Sequence, residues 1–389
     1  MSSAASAPPA RALRIAFAWR QLDHQRRRAA AAAAGVAFAV LVIFLQLGFY
    51  GAVVNTAVAI TSRLDADLVL VSPRFVHLSE ASSIDRARLF QALAVPGVAS
   101  AEPLYLRYAT WRDPVSSAHC KLFAMGFPLA SGPPLAVPGV AAQLPALEAG
   151  GSLLLDRLTQ RDCGPRAPGG EVEVREQVAR VVGGFELGVG FLADGALLTS
   201  DDTFSKLFHG YPLGLVHLGL VRLAPGADPA HTARLLRAAL PQDTAVRTRA
   251  ELDALQRSHW VEDTAVGNIF ALGGIAGFFV GFVVLTQVLS TDIRKQLPLY
   301  ATLKAMGYAR HQLRRLVLEQ AWIYGALGFG PALAIAAAAF GLIRHWTQLP
   351  VFMTGALAFS VLGLAFGLCT AAAWLSSRKL DLADPAELY

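Results

Sequence analysis

Four stretches of the chain run without a charged side chain for longer than a bilayer needs. Residues 29–60 hold no Asp, Glu, Lys or Arg over 32 positions, 264–291 over 28, 320–343 over 24 and 345–377 over 33. A hydrocarbon core about 30 Å thick is crossed by roughly 20 apolar residues at 1.5 Å each. Each stretch therefore predicts a transmembrane helix. The first is about twice as long as the apolar core of a signal peptide and lacks a clean small-residue cleavage site, so it reads as an uncleaved anchor.

The long segment between the first two spans has a different texture. Short β-like runs occur at 68–71, 122–125, 172–182 and 216–223, and helix-like runs at 86–93 and 229–240. Asp228 followed by Pro229 predicts a helix start, with Asp as N-cap and Pro in the first turn. Gly/Pro-rich loops at 132–138 and 164–170 divide the segment, which reads as an α+β domain in two lobes. No Pro interrupts 249–297, and the pattern through Leu252, Leu255, Trp260 and Val261 is broadly helical. A single helix over 249–290 would be about 63 Å long and would project beyond the bilayer as a stalk; the alternative is a break near Asp263–Gly267.

The expected fold is thus a membrane protein with four transmembrane α-helices and a large α+β periplasmic domain inserted between the first and second. Its parts are a cytoplasmic tail with an interfacial helix (1–28), a first transmembrane and stalk helix (29–60) and the periplasmic domain (61–248). A stalk and second span (249–291), a cytoplasmic loop (292–315) and a third span (316–343) follow. A short periplasmic loop (344–352), a fourth span (353–377) and a cytoplasmic tail (378–389) complete the chain.

Composition supports this reading: 54% of the 389 residues are hydrophobic and only 16% charged, against roughly 25% charged in a soluble domain. Charge placement orients the spans. The N-terminal tail has six Arg (11, 14, 20, 26, 27, 28) against Asp23, and 292–315 has six Lys/Arg against Asp292. Both belong in the cytoplasm, as does the C-terminus with Arg378 and Lys379. Segment 61–263, with 19 Lys/Arg and 22 Asp/Glu, belongs outside. Basic residues clustered beside spans make nucleic-acid binding unnecessary. In the tail, Ile15, Trp19 and Leu22 share a face with Arg nearby, the pattern of an interfacial helix.

The chemistry is mostly absent. None of the five lysines follows a glycine, so no P-loop can form, and no HExxH, CxxC or GxSxG occurs. His119–Cys120 is the lone adjacent His/Cys pair, and packing is its ordinary explanation. Cys120 and Cys163 share the outer segment, where they form either a disulfide or two separate thiols; Cys369 lies in the last span. Glu319, beside Arg315 at the start of the third span, fits an interfacial salt bridge better than proton translocation. Small residues recur every fourth position: Gly273, Gly277 and Gly281 in the second span, Gly363 and Gly367 in the fourth. Such stripes let helix backbones pack closely, within a chain or in a homodimer. Gly330–Pro331 predicts a kink in the third.

With no motor of its own, the chain needs energy from elsewhere. The loop holds Tyr300-Ala-Thr-Leu-Lys-Ala-Met-Gly-Tyr308 after Pro298, a short helix ended by Gly307. It is either a docking element for a separate motor or a plain connector.

This run resembles the cytoplasmic loop of DevC-like ABC exporter permeases, within the MacB/FtsX permease superfamily. The resemblance extends to Phe44-Leu-Gln-Leu-Gly-Phe49, Asp67-Leu-Val-Leu-Val-Ser-Pro73, Gln91-Ala-Leu with Gly97-Val-Ala-Ser, and Ala193-Asp-Gly-Ala-Leu-Leu-Thr-Ser-Asp201. Pro225-Gly-Ala-Asp-Pro229 and Ala383-Asp-Pro-Ala-Glu-Leu-Tyr389 continue it. It departs at Pro298-Leu299, where many relatives carry an acidic residue. The resemblance implies a homodimer, a separate ATP-binding subunit that holds the ATP and Mg, a periplasmic membrane-fusion (adaptor) protein and a TolC-type outer-membrane channel. It implies no catalytic residue, metal or cofactor on this chain. It makes Tyr300, Thr302, Leu303, Lys304, Met306 and Gly307 the contact with the ATPase, with Arg310 and Arg314 in supporting electrostatic roles. The implied function is the permease subunit of a tripartite exporter in the inner membrane. The rivals are an FtsX-like regulator of cell-wall hydrolases and a lipoprotein-releasing permease.

Overall fold

The computed structural model describes residues 26–113, 119–164, 168–295, 302, 306 and 309–381. The tail before Arg26, with its expected interfacial helix, lies outside them. The described residues fall into two compact units, one within Met1–Phe49, Ile269–Gly341 and Phe352–Tyr389, the other Tyr50–Asn268 with Leu342–Val351.

The helical unit is built on α1 (Arg26–Ala57), which runs past Phe49, and on three later helices introduced below. In chain order the second unit's elements come first. They are β1 (Leu68–Val71), β2 (Ile84–Asp85), α2 (Ala87–Leu93), β3 (Val98–Arg112), β4 (His119–Phe127), β5 (Ser152–Asp156), β6 (Glu171–Val174), β7 (Gln177–Phe185) and β8 (Gly195–Ser200). They continue as α3 (Asp201–Leu207), β9 (Leu215–Val216), β10 (Leu218–Leu223), α4 (Pro229–Ala239), β11 (Ala245–Thr248) and α5 (Arg249–Ser258). The remaining long helices are α6 (Ala265–Lys295), α7 (Arg310–Thr347) and α8 (Gly355–Asp381). Helices α1, α6, α7 and α8 are long and apolar enough to cross a membrane.

Nine strands form one sheet in the order β11-β1-β10-β3-β4-β8-β5-β7-β6, β3 also pairs with β6, and β2 and β9 make a separate two-stranded sheet. The last six strands therefore close into a ring, which removes their free edges. The pairs β4–β8 and β5–β7 are parallel, and the other named pairs antiparallel. Strand β3 serves both parts. Its residues 98–104 pair with β10 and its residues 105–112 with β4. Pro103 stands opposite Gly219 of β10, two residues before the β4 pairing opens at Tyr105. This shared strand corrects the two-lobe expectation: the α+β segment is one compact unit.

Burial on both faces explains the uninterrupted apolar strands. In β1, Leu68 and Leu70 enter one core with Tyr105, Trp111 and Phe204, while Val69 and Val71 enter another with Phe123, Met125 and Phe127. Alternation of period two sends successive side chains to opposite faces, so both sets are apolar. The caps follow the sequence signals. Asp228 accepts from the N–H groups of Ala230 and His231, and Thr248 with Glu251 forms a capping box at α5.

The second predicted helix is not continuous. After α5 the chain makes a π-helical turn over His259–Asp263, and Thr264 is extended (φ −95°, ψ 153°) before α6 begins. The Thr264 hydroxyl donates to Trp260 O (2.6 Å), and the Asn268 amide reaches Glu262 O and Thr264 O (3.4 Å each). Short polar side chains here compete for backbone groups that a straight helix would use. This replaces the single stalk expected over 249–290.

Candidate coupling loop and its supports

The loop expected to couple the chain to a motor leaves α6 and enters α7. At its first end, Arg294 and Lys295 occupy the last turn of α6, where cations favour the exposed carbonyls. Arg294 Nε donates to Ser290 O (3.4 Å). At its second end, Ala309 N–H donates to Gln312 Oε1 (3.1 Å), a side chain reaching back from the third helical position. Arg314 and Arg315 follow in the second turn of α7, near the end where positive charge opposes the helix dipole. Arg315 Nε pairs with Glu319 Oε1 at 3.3 Å, the interfacial contact the sequence suggested. With Arg315 half exposed it contributes only about 0.3–0.5 kcal/mol.

Of the expected contact residues, Thr302 and Met306 are described: Met306 N–H donates to Thr302 O (2.9 Å), one helical turn, and Met306 is 64% exposed. Tyr300, Leu303, Lys304 and Gly307 lie outside the described residues. An exposed Met is an adaptable apolar contact.

Beneath the loop, its two helices are clamped. Ile293, Leu313 and Val317 are buried in a cluster with Val36, Leu285, Leu289, Ala321, Cys369 and Ala372. The Ser376 hydroxyl of α8 donates to Thr286 O of α6 (3.2 Å) and lies 3.4 Å from Ser290 Oγ. The two glycine stripes part company. A Cβ on Gly273, Gly277 or Gly281 would lie 2.5–2.7 Å from atoms of Gln46, Val42 and Ala39, so α6 packs closely on α1 of the same chain. No atom lies within 4 Å of a Cβ at Gly363 or Gly367. Helix α7 carries Pro331 within its length.

In the α+β unit, the turn Thr61–Arg63 that follows α1 is fastened to α5. Thr61 Oγ1 donates to Asp253 Oδ1, Arg249 Nη1 donates to Leu64 O (3.1 Å) and Leu78 N–H to Gln256 Oε1 (3.3 Å). Beside α5, His77 stacks on His259 with ring centroids 4.1 Å apart. Burial, and then the neighbouring His259, hold the His77 pKa below the usual histidine value. Sequence reading missed this fastening; the Thr-x-x-Glu signature at 248–251 was its one visible sign.

Cys120 and Cys163 are bonded, with Cα atoms 5.7 Å apart. Trp111, fully buried and opposite Cys120 in the β3–β4 ladder, donates from Nε1 to Cys163 O (2.6 Å). Among the described residues, no group of three or more His, Cys, Asp or Glu could hold a metal ion.

Residues 271–380 match the FtsX-like permease C-terminal family. That segment holds most of α6, the loop, α7 and nearly all of α8. No curated protein matches the chain. Among solved structures, the chain is similar to the extracellular domain of the noncanonic ABC-type transporter YknZ from Gram-positive bacteria. That likeness has 14% identity and a TM-score of 0.34, and covers 46% of this chain and 99% of the other. It is also similar to the periplasmic region of MacB from Actinobacillus actinomycetemcomitans, at 10% identity and a TM-score of 0.34, covering 50% and 93%.

Proposed function

We propose that this chain is the permease subunit of a tripartite ABC exporter of the DevC-like kind. The observation that carries the reading is the FtsX-like permease match over 271–380, which encloses the 292–315 loop between two apolar helices. In this reading the chain sits in the inner membrane with both termini cytoplasmic and works as a homodimer. A separate ATP-binding subunit hydrolyses ATP and docks on Tyr300, Thr302, Leu303, Lys304, Met306 and Gly307. Closure of that subunit moves the periplasmic α+β unit, which works with an adaptor protein and an outer-membrane channel, and no substrate passes between the helices. The absence of any Gly-Lys in the sequence supports a motor on another chain.

The test is affinity purification of the tagged chain in mild detergent with mass spectrometry of co-eluting proteins, followed by ATPase assays of the reconstituted complex. Recovery of an ATP-binding subunit with an adaptor supports the exporter; a cell-wall hydrolase in the adaptor's place replaces it with the regulatory reading. Lys304→Glu and Thr302→Trp should abolish stimulation of the partner's ATPase while leaving membrane insertion intact. Normal stimulation by both variants overturns the docking assignment.

A further inference from the structure

Three of the four non-glycine residues with positive φ among the described residues line one cleft. They are Arg175 (φ 50°), Glu176 (φ 68°) and His209 (φ 55°). The cleft, about 360 Å³, lies at the seam where β6 closes against β3, and Arg112, His119 and Glu173 also line it. Arg175 and Glu176 are the two central residues of the β6–β7 hairpin, between the paired Val174 and Gln177. A two-residue hairpin with both φ values positive favours Asn-Gly, because those residues adopt the left-handed region with little strain. A long cation beside a long anion is a poor choice for the turn as a turn. Strained residues gathered at one concave place point toward use of that place.

The side chains there are matched in charge. Arg112 Nη1 pairs with Glu173 Oε2 at 3.6 Å, which leaves most of the five guanidinium donors for other partners. The Arg175 guanidinium stacks on Phe208, 5.0 Å from the ring centroid, and its buried Nε finds no hydrogen-bond partner. Glu176 is exposed and joins no ion pair among the described residues. A simple anion entering the cleft would meet Glu173 and Glu176; a simple cation would meet Arg112 and Arg175. A ligand carrying both charges satisfies both sets, its carboxylate on the guanidinium forks and its ammonium on the carboxylates. The volume suits a small molecule, and the disulfide at Cys120, next to His119, stiffens one wall.

We infer that this cleft binds a small zwitterion of the amino-acid or short-peptide type. The inference is independent of the coupling loop and of the exporter reading. It is tested by isothermal titration calorimetry of the full chain in detergent micelles, with dialanine as the probe and N-acetyl-dialanine and dialaninamide as single-charge controls. Dialanine should bind, each control at least roughly tenfold more weakly, and Arg175→Ala and Glu176→Gln should weaken dialanine by a similar factor. Loss through misfolding is separated by the double variant Arg175→Asn with Glu176→Gly, which installs the favoured turn: it should raise the melting temperature and still lose dialanine. No heat from dialanine on the folded wild-type chain, a control that binds as tightly, or undiminished binding in the Asn-Gly variant each overturn the proposal.

Discussion

In the α+β unit, buried polar side chains tie distant stretches of backbone together. The Asp156 carboxylate, wholly buried, accepts from the N–H groups of Leu158, Leu187 and Gly188 at 2.8–3.0 Å and so ties the end of β5 to the chain after β7. In the helical unit the backbone satisfies itself inside each helix, and α6 comes closest to α1 where side chains are absent, as at Gly277 on Val42. The difference teaches where each unit is vulnerable. One fails when an acceptor is removed, the other when an atom is added.

Substitutions that exploit this asymmetry can be ordered by size. Asp156→Ala leaves one buried and two part-buried N–H groups without this acceptor, and should destabilise the α+β unit by roughly 2–4 kcal/mol. Thermal melts followed by the β-sheet circular dichroism signal would show it, and an unchanged melt would break the contrast.

His217 supplies a pH-dependent version of the same test. Its Nδ1 accepts from Leu106 N–H, its ring stacks on Tyr211, and burial lowers its pKa to about 4. The unfolded chain binds a proton near pH 6.5 and the folded one does not. Stability is therefore full above about pH 6.5 and declines toward pH 4, by up to ~3 kcal/mol. Melting temperatures of wild type and His217→Asn across that window should diverge in slope; parallel curves would remove His217 as the cause.

Gly277→Leu should cost about 1–3 kcal/mol by driving a side chain into Val42, whereas Gly367→Leu should leave the single chain's packing unchanged. Size-exclusion profiles of both in detergent make the comparison, and equal behaviour would deny the stripes their different roles. Thr61→Val, which removes the hydroxyl held by Asp253, should have the smallest effect, about 0.5–1.5 kcal/mol in the same melts.

How much could be read beforehand follows the same division. The four long helices were legible because lipid demands unbroken apolar runs, and β1 was legible over 68–71 because both its faces are buried. Strand β3 was not, since Glu102, Pro103 and Arg107 disguise a strand whose partners change along its length. The break at Thr264 was legible only as the lesser alternative, because no Pro marks it and only the cluster Glu262-Asp263-Thr264 hints at it. Of the candidate site, the loop's place between two helices was legible, while the fastening of Thr61 to Asp253 joins residues 192 positions apart that no local pattern links. The left-handed Arg175-Glu176 turn was equally silent, because its residues contradict the turn they form.

The sharing of β3 also bears on how this unit can change over generations. Most strands can lose or gain a residue at a loop and let one neighbour adjust. In β3 a deletion between Leu104 and Tyr105 would leave one half in register and turn every side chain of the other half to the opposite core, Trp111 with them. Length variation should therefore collect in the 132–138 and 164–170 loops and be absent from 98–112, a pattern a deletion scan of the domain would reveal.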